Sequence, residues 1–205
     1  ESGAFLDGKK DGVWQKFHNN GQVSEKYNFK NGIQDGVQEV FYNNGKIKDQ
    51  VAYVNGQKEG AFLKFYTSGA RKSEETYGNG KSNGTTKLYY KNGQLKEETT
   101  YKGGKVDGTS NRYFGNGEWK SKQSYSNGKK HGPWEDYHSN GQLESKGQYM
   151  DGERDGYWEQ FYSNGQLREK GLYRAKVKAT RDGYRVGAYE SYFGNGQLET
   201  RGKFK

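Results

Sequence analysis

The sequence predicts an all-β chain, an elongated single-layer antiparallel array of about eight hairpin repeats, each of 24 residues. Three observations carry that expectation: a constant 24-residue step between glycines, an aromatic residue at a fixed place in every copy, and an Asn-Gly pair after it. The opening glycines are Gly12, Gly36, Gly60, Gly84, Gly108, Gly132 and Gly156, with an eighth at Gly187 after a longer step. Periods of 20–50 residues are the signature of repeat architectures, so one array over 1–205 is expected, with a partial unit at 1–11 and an insertion at 174–182.

Composition bounds the kind of core. Leu, Ile, Val and Phe make up about 14% of the chain and mean hydropathy is −1.34, a level typical of disordered chains. Aromatics at 16% and 32 glycines argue for order instead, through many thin local contacts rather than one thick core. There are no cysteines, which excludes a disulfide framework and any thiol chemistry. No apolar run approaches the ~18 residues of a membrane-spanning helix. The net charge of +9 favours an acidic partner without choosing among protein, lipid and nucleic acid.

Within a unit the columns are regular. Two places after the opening glycine stand Trp14, Gln38, Phe62, Thr86, Ser110, Trp134, Trp158 and Tyr189. Five places after it every copy is aromatic: Phe17, Phe41, Phe65, Tyr89, Tyr113, Tyr137, Phe161 and Tyr192. The next column is His18, Tyr42, Tyr66, Tyr90, Phe114, His138, Tyr162 and Phe193, then comes Asn-Gly, then an aliphatic such as Leu95 or Leu143, replaced by Arg71 and Trp119. A Tyr or Phe closes each unit, as at Tyr101 and Tyr149, before a second Asn-Gly or Gly-Gly turn.

Asn-Gly between two aromatic-rich runs is a strong hairpin signal, because both central residues of a type I′ turn need positive φ. A two-residue tip at Asn92-Gly93 pairs Tyr90 with Leu95 and Tyr89 with Lys96. Alternation then puts Tyr90, Leu95 and Tyr101 on one face, and Tyr89 with Lys96 and Glu98 on the other. Two basic columns follow on that second face: Lys48, Lys72, Lys96, Lys120 and Arg168, and Lys26, Lys122, Lys146, Lys170 and Arg201. At ~4.8 Å per strand the ribbon is expected to run about 75–80 Å.

These columns resemble the MORN repeat, and more closely its bacterial variant, G-x-W-x-x-Y-Y-x-N-G-x-L followed by Y-x-N-G-K. The stretches "GPWEDYHSNGQLESKGQYMDGERDG" and "GYWEQFYSNGQLREKGLY" match almost throughout. The resemblance implies an extended β-hairpin ribbon. Proteins similar to this are commonly labelled YwqK-family antitoxins, others look like secreted or surface proteins, and catalytic machinery lies outside the repeats.

Chemistry of other kinds finds little support. His18 and His138 fill an aromatic slot and His131 stands where other units carry Asp, so no metal or nucleophile set emerges. Asp11, Asp35, Asp107 and Asp155, before the opening glycines, read as turn-stabilising residues rather than calcium ligands. "GNGKSNG" at Gly78 lacks the pattern of a phosphate loop, and carboxylates among the lysines argue against a nucleic-acid groove. The expectation is therefore a non-enzymatic, cofactor-free binding array. Its contact residues are the eight aromatics Phe17 to Tyr192, together with Arg174, Lys176, Lys178 and Arg181 of the insertion; charge reversal at Lys176 and Lys178 is expected to weaken partner binding. Three functions compete: an antitoxin or immunity protein masking an acidic protein toxin, a surface or envelope scaffold, and a peripheral binder of anionic membranes. Either the bacterial cytoplasm or the cell envelope suits these readings.

Overall fold

The computed structural model describes residues 1–175 and 184–204. Nineteen strands and no helix are found among them, and every pairing is antiparallel. Strands pair with their neighbours along the chain, which is what short reversals impose. Val23–Lys30 and Arg71–Gly78 also pair with Gly36–Phe41 and Gly84–Tyr89, past the two-residue strands Ile33–Gln34 and Lys81–Ser82. The chain divides into two compact units, Glu1–Leu95 with Tyr101–Gly104, and Lys96–Thr100 with Lys105–Lys205. Of the insertion contacts, Lys176, Lys178 and Arg181 lie outside the described residues.

Two different turns alternate along the array, although in several repeats both are spelled Asn-Gly. At the hairpin tip, the Gly93 amide donates to the Tyr90 carbonyl at 3.0 Å and the Tyr90 amide donates to Gln94 at 2.8 Å. The loop is thus three residues, Lys91-Asn92-Gly93, and only the glycine has positive φ, +86°. This corrects the two-residue tip expected there: Asn92 stays out of the left-handed region, and a three-residue loop with its bulge replaces the type I′ turn. The type I′ geometry belongs to the other turn. Asn31 and Gly32 have φ of 52° and 82°, and Asn127 and Gly128 have 49° and 83°. Lys30 pairs directly with Ile33 across the first of these.

The bulge changes which side chains meet. In the second unit Glu135 faces Lys146 and Asp136 faces Ser145, but Tyr137 then faces Leu143, so Glu144 is the extra residue. The aliphatic column therefore opposes the aromatic five places after the opening glycine, not the one six places after it as expected. Trp119, which occupies the aliphatic column, stacks on Tyr113 with centroids 4.5 Å apart. The closing tyrosines lie on the opposite face, where Tyr149 meets Trp134 at 4.9 Å and Trp158 at 5.0 Å.

The displaced column, Tyr90's own, does a separate job. Its side chains reach into the next repeat and bond to the backbone: Tyr42 donates to the Phe65 carbonyl at 2.7 Å and Tyr66 to Tyr89 at 2.7 Å. In the second unit Tyr162 donates to Tyr192 at 3.0 Å. His18 and His138 occupy the same slot and place Nε2 3.1 Å and 3.0 Å from Phe41 and Phe161 carbonyls. An imidazole thus reproduces the phenol's reach, which accounts for both histidines. The tip asparagines add a parallel rung. Asn140 Oδ1 accepts from the Gln142 amide while Nδ2 donates to Ser163 in the next repeat.

The acidic residues before the opening glycines stitch the other end. Asp11, Asp35 and Glu59 accept from the backbone amides of Asn31, Asn55 and Asn79, the first residues of the type I′ turns. Turn stabilisation is their role, with Glu59 reproducing what aspartate does elsewhere.

Burial is thin, as the composition requires. Among the described residues the buried apolar ones are Trp14, Val51, Trp134, Tyr149 and Trp158, and none of their large side chains falls below 2% exposure. The Trp14 and Trp158 indoles lie over glycines of the preceding strand. A Cβ on Gly147 would sit 2.3 Å from Trp158 ring atoms, and one on Gly3 would sit 2.2 Å from Trp14.

Candidate functional site

The two sheet faces carry different chemistry. One bears the aromatics five places after each opening glycine, together with the Lys26–Lys170 column and a column of carboxylates. Here the lysines are committed to neighbours: Lys26 pairs with Glu39 at 3.9 Å, Lys122 with Glu135 at 3.5 Å, Lys146 with Glu159 at 2.9 Å and Lys170 with Glu190 at 2.7 Å. In one repeat the pair is reversed, with Glu74 facing Lys87 across the strands. The face is a charge-compensated ladder.

The predicted contact aromatics sit inside that ladder. Phe17 is exposed at 47%, whereas Phe41, Phe65, Tyr89, Tyr113, Tyr137, Phe161 and Tyr192 are half-buried. Lys122 lies over the Tyr137 ring at 5.2 Å and Lys146 over Phe161 at 5.8 Å, while the Tyr137 and Tyr192 hydroxyls donate to Glu135 and Glu190. Arg174 is exposed at the end of strand Leu167–Arg174. The other basic column, Lys48, Lys72, Lys96, Lys120 and Arg168, is exposed throughout.

Glu190 gives this ladder a measurable acid limit. The Lys170 ammonium, followed by the Tyr192 hydroxyl and Arg201, holds its carboxyl down to about 2, against an ordinary 4.5. A carboxylate depressed in the folded state contributes fully above its unfolded pKa and loses that contribution as pH falls through the folded one. The melting-temperature gap between the wild type and Glu190→Gln should therefore be constant above pH 4.5 and shrink towards pH 2. A gap that widens on acidification would refute the pairing.

The opposite face, which the sequence alone does not single out, holds the more specific pattern. Two places before an opening glycine a cation lies over the ring two places after it. Lys10 is 4.0 Å from the Trp14 centroid, Lys58 is 4.5 Å from Phe62, and Lys130 is 4.3 Å from Trp134. Arg154 is 4.5 Å from Trp158 and Arg185 is 4.2 Å from Tyr189. The closing ring forms the second wall, as Tyr149 does for Lys130 at 4.7 Å and Tyr173 for Arg154 at 5.4 Å.

Ring and cation come and go together. The repeats with Gln38, Thr86 and Ser110 in the ring position carry Gln34, Ser82 and Val106 in place of the cation. Gln34 and Gln38 then bond to each other at 3.1 Å. The coupling is written in the sequence, but as a correlation between residues four apart across a bulge, which period-2 alternation would assign to no particular contact. Where Gln38 replaces a ring an open groove of about 210 Å³ remains, lined by Gln38, Val40, Asp49, Val51, Tyr53, Lys58 and Phe62. Larger grooves run along the hairpin tips, one of about 420 Å³ beside His18, Tyr42 and Lys48 and one of about 510 Å³ beside Arg112, Lys120 and His138.

Antiparallel hairpins that repeat the same side chains in rows, over shallow open grooves, define a repeat protein of the binding or scaffold class. The family model described as the MORN repeat variant matches residues 10–31, 34–55, 82–102, 130–151, 154–175 and 185–205. Those segments cover well over half of the sequence, and the chain belongs to that family. The repeats opening at Gly60 and Gly108 lie outside the matches; they are the two in which Arg71 and Trp119 replace the aliphatic. No match was found among curated proteins.

Proposed function

We propose that the chain is a non-catalytic docking array that masks another protein by direct contact, in the manner of antitoxin and immunity proteins. The observation that carries this reading is the repetition itself: an aromatic ring stands at the same place in every repeat, half-buried in seven of the eight. Many modest contacts in series give a large interface without a deep pocket, and aromatic residues supply the strongest contacts in such interfaces. The histidines fit the non-catalytic reading, since His18 and His138 belong to the inter-repeat ladder and His131 lies 3.6 Å from Asp151.

The test is a titration of a purified host protein recovered on the immobilised chain. A stoichiometric complex that Tyr137→Ala and Phe161→Ala weaken, at a temperature where both free variants remain folded, supports the reading. A partner that is chemically altered by the chain, or binding indifferent to both rings, contradicts it.

A further inference from the structure

We infer that the indole face of the second unit seats an acidic, extended segment of the protein partner, with its carboxylates on Lys130 and Arg154. This rests on the protein-docking reading above and adds to it a second contact, on the face opposite Tyr137 and Phe161, together with the chemistry of the segment seated there.

The argument begins with where positive charge is left over. Lysines on the other face are committed to Glu39, Glu135, Glu159 and Glu190. Among the described residues no ion pair reaches Lys58, Lys130 or Arg154. Asp136, an acid two residues from Trp134 on the same strand, already accepts from the Trp134 indole at 2.7 Å and from Ser145 at 3.3 Å. Arg185, next along, is paired with Glu169, so Lys130 and Arg154 are the uncompensated members of consecutive repeats.

Both are half-buried between rings. Partial burial of a cation without a counter-ion is costly, and ring quadrupoles offset only part of that. Arg154 Nε is buried with no hydrogen-bond partner. A carboxylate from outside would supply the missing charge through the exposed edges of the ammonium and guanidinium, as charge-assisted hydrogen bonds.

Spacing then restricts the ligand. Consecutive repeats are two strands apart, about 10 Å. A polyproline II segment advances ~9.3 Å every three residues and returns its side chains to the same side at that interval. Acidic residues at every third position, on a segment crossing the strands, match the two cations. Charged unfolded segments populate this conformation readily, so little ordering is required.

The probe is a synthetic peptide of four Glu-Pro-Pro triplets, compared with one of the same composition whose glutamates are contiguous. The triplet peptide is expected to bind more tightly, and to weaken as salt is added. Lys130→Gln with Arg154→Gln should lower its affinity about tenfold or more, whereas Arg154→Lys, which keeps the charge, should stay within about threefold and show that the loss is not misfolding. Lys122→Gln with Lys146→Gln should leave binding unchanged. The inference is overturned if the latter pair carries the loss, if both peptides bind alike, or if single-stranded DNA or phosphatidylserine vesicles bind through Lys130 and Arg154 and the peptide does not. In those cases the docking reading still stands on the recovered partner. Loss of that partner's dependence on Tyr137 and Phe161 would remove the reading while peptide binding persisted.

Discussion

Gly147→Ala is expected to destabilise the protein by about 1–3 kcal/mol, the usual cost of overpacking a filled site. The effect is large because the added methyl would lie 2.3 Å from Trp158, one of the few buried side chains in a chain without a thick core. Backbone conformation does not object: Gly147 has no positive φ, and alanine alone would reduce unfolded-state entropy and favour folding. Gly147→Val should expel the indole, raising the loss towards the ~3–5 kcal/mol of a Trp→Ala change. Chemical denaturation of the two variants, each also in a Trp158→Leu background, checks the mechanism. The penalty at 147 should shrink sharply once the indole is gone; a penalty that persists would place the strain elsewhere.

The second large effect separates two opening glycines. Gly36 has φ +106°, and a Cβ there would lie 2.9 Å from Asn28. Gly60 has φ +75° with open space around it. Gly36→Ala should cost at least about 2 kcal/mol, combining backbone strain with a contact that must be relieved. Gly60→Ala carries strain alone and should cost about 1 kcal/mol. Equal midpoints in urea for the two variants would show that the bulge does not discriminate between them.

Both cases bear on what is legible in the residues alone. The strands, their antiparallel pairing and the 24-residue period follow from alternation and turn chemistry, and the family match bears out the repeat variant. The faces are harder to read. Asn92-Gly93 and Asn31-Gly32 are spelled alike, yet one closes a three-residue loop and the other a two-residue one. The difference lies in which carbonyl the glycine amide finds, Tyr90 in its own hairpin or Lys10 in the preceding repeat. That choice is made by neighbouring repeats, so a single hairpin's sequence underdetermines it. The resulting bulge sets Leu143 opposite Tyr137 and frees the Tyr42 and His138 column to bond between repeats.

The candidate contact residues show the same limit. Constancy points to the ring present in every copy, Phe17 to Tyr192, although that ring lies among paired charges. The column two places before each glycine varies, from Lys130 to Gln34 to Val106, and so resembles loop filler. Its meaning lies in covariation with Trp134, Gln38 and Ser110. Registered strands turn that covariation into a cation over a ring.

That coupling underlies the contrast between the two faces, and a double-mutant cycle on Lys130 and Trp134 measures it most directly. Stability is followed for Lys130→Gln, Trp134→Leu and the double variant, at low and high salt. The predicted result is an interaction energy of about 0.5–2 kcal/mol that survives salt, because the cation is half-buried against the indole. Additive losses at both salt concentrations would contradict it, and would leave the paired occurrence of the two residues without a physical basis.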